Sequence, residues 1–217
     1  MARLTPISTA YGFDRGQPVD RYYIDAFMQR FGSFPDYAPG VIRGRVLEVG
    51  GRDYVDRFGG GLEQVDVLHE SDANPEATIV GSLTEPGVLP ADSFDCIVCA
   101  QTLHVIYDVR TALAHMHQAL RPGGVLLVTA PGITRSCLPD RDHWGDWWRF
   151  TSLSLERLLE EAFPAGEIHV EAYGNILAAV AFLHGLAAEE LRPRELAVRD
   201  PDFELVVVGR AAKAVRG

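Results

Sequence analysis

The sequence predicts an α/β fold in which a mostly parallel sheet is wound with helices on both faces. Short runs of β-branched and aliphatic residues alternate along the chain with amphipathic helical patterns, which is typical of this class. The first such run, residues 45–49, ends in the turn Gly50-Gly51, as expected where a buried parallel strand lets a ligand approach the backbone. Ligands of such sheets bind outside the carboxyl ends of the strands. We therefore expect the ligand site at Glu48 and the turn that follows it.

The N-terminal part of the chain is predicted to hold a turn-rich lead-in and one helix. Pro18 suits the first turn of a helix, and apolar residues follow at helical spacing until Gly32. The tyrosines and charges of the first turn fit two interpretations, a face half-packed on the core or a lid over the polar tail of a ligand. We keep both, and treat residues 1–40 as an N-terminal helical extension or lid of a core over residues 41–217.

The remaining elements follow in alternation, and nothing in the composition suggests a second domain. We find no internal repeat and no low-complexity tract, so we predict one domain over residues 1–217. Asp108 can cap one helix, and Thr151 or Ser152 can cap another. The predicted elements are a short helix at 53–58, strands at 64–69, 77–80 and 94–100, a helix at 109–120, a strand at 125–130, a helix ending near 163, a strand at 168–173, a helix at 175–191 and a final strand at 203–210.

The charge balance limits the classes of partner. The formal net charge is -10, and Lys213 is the only lysine. An acidic chain without a basic run is a poor candidate for binding nucleic acid or anionic membranes, although it can hold a cationic ligand. The N-terminus lacks the apolar core of a signal peptide, and the most apolar run, 176–188, is too short for a membrane span. We therefore expect a cytoplasmic protein.

The three cysteines do not form a disulfide framework. Cys96 and Cys99 have the spacing of a redox motif, but alternation along a strand sends their side chains to opposite faces. We therefore predict that both pack in the core. No histidine falls into metal-ligand spacing with carboxylates or cysteines, and we predict no required metal.

Several motifs, taken together, resemble those of one family. They are Val-Leu-Glu-Val-Gly at 46–50, Ser-Phe-Asp-Cys-Ile-Val at 93–98, Leu-Arg-Pro-Gly-Gly-Val-Leu-Leu at 120–127 and Trp-Arg-Phe-Thr at 148–151. Over residues 42–163 the chain resembles the class I S-adenosylmethionine-dependent methyltransferases, and more narrowly the small methyltransferase type 11-like proteins of bacteria. The resemblance implies a Rossmann-like, mostly parallel seven-stranded sheet whose last strand, here the run at 203–210, is antiparallel.

The resemblance also implies S-adenosyl-L-methionine as the cofactor and S-adenosyl-L-homocysteine as the product. In this family the acid of the first motif organises the glycine turn and meets the ligand's amine directly or through water, and an acid after the second strand holds the ribose. Glu48 and Glu70 match these positions, with Asp66 and Asp72 as alternatives to Glu70. The further predicted cofactor contacts are Gly50, Gly51, Asp53, Ser82, Leu83, Tyr11, Arg21 and Tyr22.

The chain departs from the family pattern at the cofactor site. Arg52 and Tyr54 stand where further glycines are usual, and Ser82 stands where an adenine-binding acid is usual. These departures keep open a non-catalytic domain that binds the cofactor or regulates a partner. An NAD-dependent oxidoreductase is a further alternative, but the turn lacks the Gly-x-Gly-x-x-Gly spacing that brings a helix N-terminus to a pyrophosphate.

Methyl transfer from a sulfonium needs an in-line approach of the acceptor, and it needs a general base only where the acceptor carries a proton at the working pH. His104 after the fourth strand and His143 in the loop after the fifth are the candidate bases, each with simple packing as its alternative. Asp146 can orient a histidine or bind substrate. The aromatic loop around them suits either core or a pocket wall. Its predicted substrate contacts are Trp144, Trp147, Trp148 and Arg149.

The acceptor is predicted to be a small molecule, with no nucleic acid and no membrane as partner. The stretch 100–103 lacks the Asn/Asp-Pro-Pro-aromatic motif of the family's adenine and glutamine N-methylating members. O-methylation of a hydroxyl on a sugar or a secondary metabolite is the first hypothesis, and N-methylation is the second. The sequence leaves open whether the chain is a monomer or a homodimer.

Overall fold

A seven-stranded sheet forms the centre of the computed structural model, which describes residues 4–31 and 40–215. The strands are β1 (Gly44–Val49), β2 (Leu62–His69), β3 (Ile79–Val80), β4 (Phe94–Ala100), β5 (Leu120–Pro131), β6 (Glu167–Tyr173) and β7 (Val206–Ala212). Their order across the sheet is β3-β2-β1-β4-β5-β7-β6. Every pair is parallel except the two pairs of β7, which runs antiparallel to β5 and β6. The predicted α/β class and the antiparallel last strand are confirmed.

Helices cover both faces of this sheet. They are α1 (Val19–Phe31), α2 (Asp53–Phe58), α3 (Val109–Ala119), α4 (Leu138–His143), α5 (Ser152–Ala162), α6 (Ile176–Leu183) and α7 (Pro193–Leu196). Helices α1, α2 and α6 bury apolar side chains against one face, and α3 and α5 bury theirs against the other. Cys96 and Cys99 of β4 are both fully buried, one in each of these cores, as strand alternation predicts. The sheet is therefore doubly wound.

Helix α1 is part of the core. Ile24, Phe27 and Met28 are fully buried, and they pack in the same cluster as side chains of β1, β7 and α6. Tyr23 is also buried, and its hydroxyl donates a hydrogen bond to the Leu196 carbonyl at 3.0 Å. Because the whole helix cannot move away without exposing these side chains to water, the lid hypothesis now rests on the segment before α1 and on its first turn.

The helix predicted over residues 175–191 ends earlier, at Leu183. The Gly185 amide donates to the Phe182 carbonyl and the Leu186 amide donates to a carbonyl one residue earlier, both at 2.9 Å. Gly185 has φ +72°. This is a Schellman motif, which needs a left-handed residue that glycine adopts without strain. The predicted helix over residues 175–191 is therefore too long, because Gly185 ends α6.

Other element boundaries also differ from the prediction. β5 starts at Leu120 rather than at residue 125, because its pairing with β4 begins there. β3 has two residues rather than four, and α4 (Leu138–His143) forms inside a segment predicted as a loop. The predicted helix stop at Gly32 lies outside the described residues, and α1 is described as far as Phe31.

None of the described helices is long and apolar enough to cross a membrane. Across residues 4–31 and 40–215, no three histidine, cysteine or carboxylate side chains come together in a way that could hold a metal ion. The expectations of a cytoplasmic location and of no required metal stay predictions.

Phe27 tests whether α1 is structural. We expect Phe27→Ala to lower the free energy of unfolding by about 3–5 kcal/mol, because it removes a fully buried ring and leaves a cavity. Phe13→Ala, at a ring that is 61% exposed in the preceding segment, should cost less than about 1 kcal/mol. Urea unfolding measures both values. Equally small losses in the two variants would show that α1 does not belong to the core.

Candidate functional site

A buried carboxylate organises the turn after β1. Glu48 is 3% exposed, and it accepts hydrogen bonds from the backbone N–H groups of Tyr54 and Val55 at 3.2 and 2.8 Å. These amides belong to the first turn of α2, where unpaired N–H groups and the helix dipole favour a negative charge. Burial outweighs these bonds and raises the pKa of Glu48 to about 7. Glu48 thus ties β1 to α2, with its oxygens directed at the helix.

The bulky residues of this turn are accommodated within α2. Gly50 has φ +93° and open space where a side chain would begin. Arg52 pairs with Asp56, one helical turn further on, at 2.8 Å. The Tyr54 ring stacks on the Phe58 ring with 6.4 Å between centroids. Arg52 and Tyr54 therefore leave the space beside Gly50 open, which is where the next feature begins.

A large cleft of about 580 Å³ opens where the carboxyl ends of β1, β2, β3 and β4 converge. The strand order reverses at this point, between β1 and β4, which is where ligands of open α/β sheets bind. Its volume is in the range of small-molecule sites. The lining of this large cleft includes Gly50, Glu70, Ser82, Leu83, Gln101, His104, Ile106, Tyr107, Asp108, Asp140, Trp144 and Trp147.

Glu70 is the acid after β2 that reaches the large cleft. Its side chain is exposed. Asp66, one alternative to it, is buried in the middle of β2 and pairs with Arg45 at 2.8 Å, so it is not available to a ligand. Asp72, the other alternative, does not line the cleft. Of the three candidate acids, Glu70 is the one that lines the large cleft.

Two of the three tryptophans line the large cleft. The Trp147 backbone N–H donates to the His104 carbonyl at 2.8 Å, which ties the loop after β5 to the loop after β4. Gly145 has φ +97°, and a side chain there would overlap the Trp147 ring. Trp144 and Trp147, predicted as substrate contacts, therefore form a wall of the large cleft.

Trp148 lies on the outer side of this loop. Its ring stacks on Tyr107 with 5.8 Å between centroids, and its indole N–H donates to the Ile106 carbonyl at 3.0 Å. It does not line the large cleft or the cavity described next. The contact of Trp148 with substrate stays a prediction, and the geometry disfavours it because its ring packs on Tyr107 and holds the loop.

A small cavity of about 240 Å³ adjoins the large cleft. Gln101, His104 and Asp140 line both spaces, so the two meet at these residues. We call this place the junction. The other walls of the small cavity come from the N-terminal segment, α1, the loop after β5, α6 and β7. They are Tyr11, Phe13, Asp20, Arg21, Pro131, Thr134, Arg135, Cys137, Asp146, Arg149, Phe182, Leu205 and Val206.

His104 is a buried, neutral imidazole at the junction. Its Nε2 atom lies 3.7 Å from Oδ2 of Asp140, and its Nδ1 atom has no hydrogen-bond partner among the described residues. Burial lowers the pKa of His104, and the nearby carboxylates of Asp146 and Asp140 oppose this effect. The ring can therefore accept a proton at neutral pH, and two carboxylates can stabilise the imidazolium that results.

Asp146 and Arg149 close the loop after β5. Arg149 donates to both carboxylate oxygens of Asp146 at 2.6 and 2.8 Å, and the Cys137 backbone N–H donates to the same carboxylate at 3.1 Å. The bonds from Arg149 hold the pKa of Asp146 below its usual range. The Asp146 side chain is 2% exposed. The oxygens of Asp146 are thus directed at Arg149 and Cys137, and both Asp146 and Arg149 line the small cavity. The catalytic role of Asp146 stays a prediction, and this geometry favours a supporting role beside His104.

His143 does not reach either space. It is exposed at the end of α4, and its Nδ1 atom lies 2.8 Å from the Pro139 carbonyl of the same helix. Neither the large cleft nor the small cavity includes it. The role of His143 as a general base stays a prediction, and the geometry disfavours it because the loop that carries it folds into α4.

Five predicted cofactor contacts lie away from the large cleft. Gly51, Asp53 and Tyr22 line neither space. Asp53 is the exposed first residue of α2, and the Tyr22 ring packs edge-on against the next tyrosine at 5.5 Å. Tyr11 and Arg21 line the small cavity rather than the large cleft.

The sequence analysis did not single out Gln101, Asp140 or Arg135, all of which line the small cavity. Gln101 has φ +48°, which is uncommon for a residue other than glycine and occurs at functional sites. Its position directly after β4 was the available signal. Asp140 and Arg135 follow β5 at the same edge of the sheet, but their direction depends on the loop structure.

The fold and the two adjoining spaces define a doubly wound α/β protein with a ligand cleft at its strand-order reversal and a second site beside it. A family model described as a methyltransferase domain matches residues 19–162, more than half of the 217 residues. The chain therefore belongs to this methyltransferase family, and the resemblance inferred from its motifs is confirmed.

Three proteins illustrate the similarity. A probable polyketide synthase 5 of Dictyostelium discoideum is 30% identical over 82 residues, which are 37% of this chain and 3% of that protein. An S-adenosylmethionine-dependent methyltransferase from Mesorhizobium loti has a similar structure, with a TM-score of 0.54, 19% identity and coverage of 93% of this chain and 100% of that one. Phosphoethanolamine N-methyltransferase 2 of Haemonchus contortus, in complex with S-adenosyl-L-methionine, gives a TM-score of 0.53, 15% identity and coverage of 99% and 54%. The chain thus spans a small part of the curated relative it matches.

Glu48 predicts a pH dependence of stability. Its folded pKa of about 7 lies above the unfolded value near 4.5, so the folded state binds more protons between these values and loses stability as the pH rises through this window. We expect the difference in unfolding free energy between the protein and Glu48→Gln to change by about 3 kcal/mol from pH 4.5 to 7, and to be constant above that. Urea unfolding at four pH values measures it. If the unfolding free energies of the two proteins differed by the same amount at every pH, this result would contradict the raised pKa of Glu48.

Proposed function

We propose that the chain is an S-adenosylmethionine-dependent methyltransferase that methylates a hydroxyl group of a small molecule. The observation that supports it is the junction, where a cleft large enough for a nucleoside cofactor and a smaller cavity meet at a buried, neutral histidine. A hydroxyl acceptor needs a general base, and an amine that is already deprotonated does not. N-methylation therefore stands second.

The residues of the large cleft fit the proposed cofactor. Three carboxylates line it, Glu70, Asp108 and Asp140, and no arginine or lysine is among its described lining residues. This charge suits a cationic sulfonium and disfavours the pyrophosphate of NAD. Aromatic rings at Trp144 and Trp147 add faces that attract a cation. The bound cofactor would supply a methyl group already activated by its sulfonium.

Named residues can hold each part of the cofactor. Glu70, at the end of β2, can accept two hydrogen bonds from the ribose diol. Ser82 and Leu83 line the part of the cleft beyond β3, where we place the adenine. The open space beside Gly50 suits the methionine tail of the cofactor. Glu48 stabilises the turn through its hydrogen bonds to the first turn of α2.

His104 is the residue that we assign as general base. Its Nε2 atom lies near Asp140, a residue that lines both spaces. In the proposed reaction this atom accepts the proton of the acceptor hydroxyl. The Asp140 and Asp146 carboxylates then stabilise the imidazolium. Gln101 shares the junction, and its rigid backbone, with the N–H donating to the Thr129 carbonyl at 2.9 Å, fixes the floor on which the acceptor lies.

A small acceptor agrees with the size of the small cavity, about 240 Å³, and we propose no nucleic acid and no membrane as partner for this acidic chain. A cytoplasmic location belongs to the same proposal, and a monomer and a homodimer both agree with it. A non-catalytic domain that binds the cofactor is the alternative, since the turn after β1 keeps Arg52 and Tyr54. Turnover of any acceptor excludes this alternative.

Glu70 tests the cofactor site. We expect calorimetric titration to show binding of S-adenosyl-L-homocysteine but not of NAD, and Glu70→Gln to weaken the former about 10- to 100-fold, because charge-assisted bonds to the ribose are lost. Asp72→Asn, two residues further on and outside the cleft, is the matched control. If titration with S-adenosyl-L-homocysteine at high micromolar concentration gave no heat of binding, the proposed function would be wrong.

His104 tests the chemistry. We expect His104→Gln to lower kcat for a hydroxyl acceptor by about 10²- to 10⁴-fold, and His143→Gln, at an exposed ring, to change it little. Because the pKa of His104 is lowered, kcat/KM should rise with pH through a value below the ordinary 6.5 of histidine and stay level at neutral pH. Steady-state rates from pH 5 to 8 measure this. A loss at His143 instead of His104 would overturn the assignment.

A further inference from the structure

Two of the three arginines that line the small cavity pair with aspartates of its own walls. Arg21 pairs with Asp20 at 2.6 Å, and Arg149 pairs with Asp146 at 2.6 Å. Arg135 lines the same cavity, and it has no carboxylate partner among the residues that the structure describes. The small cavity therefore contains one guanidinium without an ion pair, and Asp140, at the junction, is a carboxylate of its described walls that lies beside His104 rather than beside an arginine.

The N-terminal segment holds this guanidinium in place. Arg135 lies 3.7 Å from the centroid of the Tyr11 ring, and one of its N–H groups donates to the Thr9 carbonyl. Burial raises the pKa of Tyr11, so its hydroxyl stays neutral and adds no negative charge. A guanidinium has five N–H donors in a planar fork that matches a carboxylate, and most of those of Arg135 remain for a ligand.

One wall of the small cavity is apolar. Phe182, Leu205 and Val206 are buried, and Pro131 and Phe13 complete this wall. Such walls suit a flat apolar body, and the volume of about 240 Å³ restricts it to a small one. His104 lies at the junction, at one boundary of this space, together with the polar side chains of Gln101 and Asp140. Among the cationic side chains of the described walls, Arg135 is the one without a carboxylate partner.

We propose that the acceptor is a small hydroxy acid with a flat apolar body, whose carboxylate binds Arg135 while its hydroxyl lies at His104. This rests on the proposed methyl transfer: the hydroxyl oxygen gains the methyl group, its proton passes to His104, and the cofactor leaves as its neutral thioether. The net charge of -10 disfavours anions near the protein in general, and it is screened beyond about 8 Å at physiological salt, so recognition of the carboxylate must be local.

Isosteric pairs of probes test this proposal. The three isomeric hydroxybenzoates, the corresponding hydroxybenzamides and phenyl phosphate are titrated into the protein saturated with S-adenosyl-L-homocysteine. We expect at least one hydroxybenzoate to bind about 10- to 100-fold more tightly than its amide, through charge-assisted bonds to Arg135. The preference should disappear in Arg135→Gln and return in part in Arg135→Lys. Arg141→Gln, at an exposed arginine of α4 that pairs with Asp142, is the matched control and should keep it.

Each other outcome overturns a definite statement. Equal binding of acids and amides, or no binding of either, overturns the hydroxy-acid proposal while the methyltransferase proposal stands on S-adenosyl-L-homocysteine binding. Tighter binding of phenyl phosphate than of every hydroxybenzoate overturns the carboxylate in favour of a phosphate. Equal losses for acids and amides in Arg135→Gln show that Arg135 only anchors the N-terminal segment, and also overturn it. No binding of S-adenosyl-L-homocysteine overturns both proposals.

Discussion

Glu48 directs both carboxylate oxygens at the first turn of α2, and the shape of the site follows from this contact. The amides of Tyr54 and Val55 would otherwise be unpaired at the helix N-terminus, and the carboxylate would otherwise be buried without partners. The pair of hydrogen bonds fixes the angle between β1 and α2. Gly50, between them, must then turn with positive φ, which leaves its backbone bare at the rim of the large cleft. The desolvation that remains is seen in the raised pKa of Glu48.

The second constraint is the backbone of His104. Its carbonyl accepts the N–H groups of Trp147 and Trp148 at 2.8 and 3.2 Å, so the loops after β4 and β5 are held together at the residue whose imidazole faces the junction. The same packing excludes water from the ring and lowers its pKa. The packing of these two loops therefore determines both the position of the His104 imidazole and its protonation state. Burial thus lowers the pKa of this imidazole, although the nearby carboxylates of Asp146 and Asp140 oppose the shift.

The sequence was sufficient for features that depend on short-range patterns. The order of strands and helices, the turn at Gly50 and the core role of Cys96 and Cys99 follow from hydrophobic periodicity and alternation, which the fold preserves. The choice between His104 and His143 could not be made in this way. It depends on α4, a helix of six residues without a buried side chain, whose formation the hydrophobic pattern does not reveal.

The directions of side chains were the second feature that could not be predicted from the sequence. Arg135 was not considered as a ligand contact, because a charged residue in a loop is most often solvated, and only the Tyr11 ring across the chain shows that it is held in place. Likewise, Asp66 and Glu70 look equivalent until the register of β2 buries the first against Arg45 and leaves the second at the cleft. Which acid meets a ligand is a property of the assembled sheet.

The two adjoining spaces differ in charge, and this difference bears on how two ligands would be sorted between them. Acids and aromatic rings without a lysine or arginine line the described walls of the large cleft, whereas the small cavity has the unpaired guanidinium of Arg135. A cationic ligand is thus favoured on one side of His104 and an anionic one on the other. In the proposed methyl transfer the cofactor would lose its sulfonium charge, and with it the attraction to the acidic walls. Loss of this attraction would then favour release of the neutral thioether.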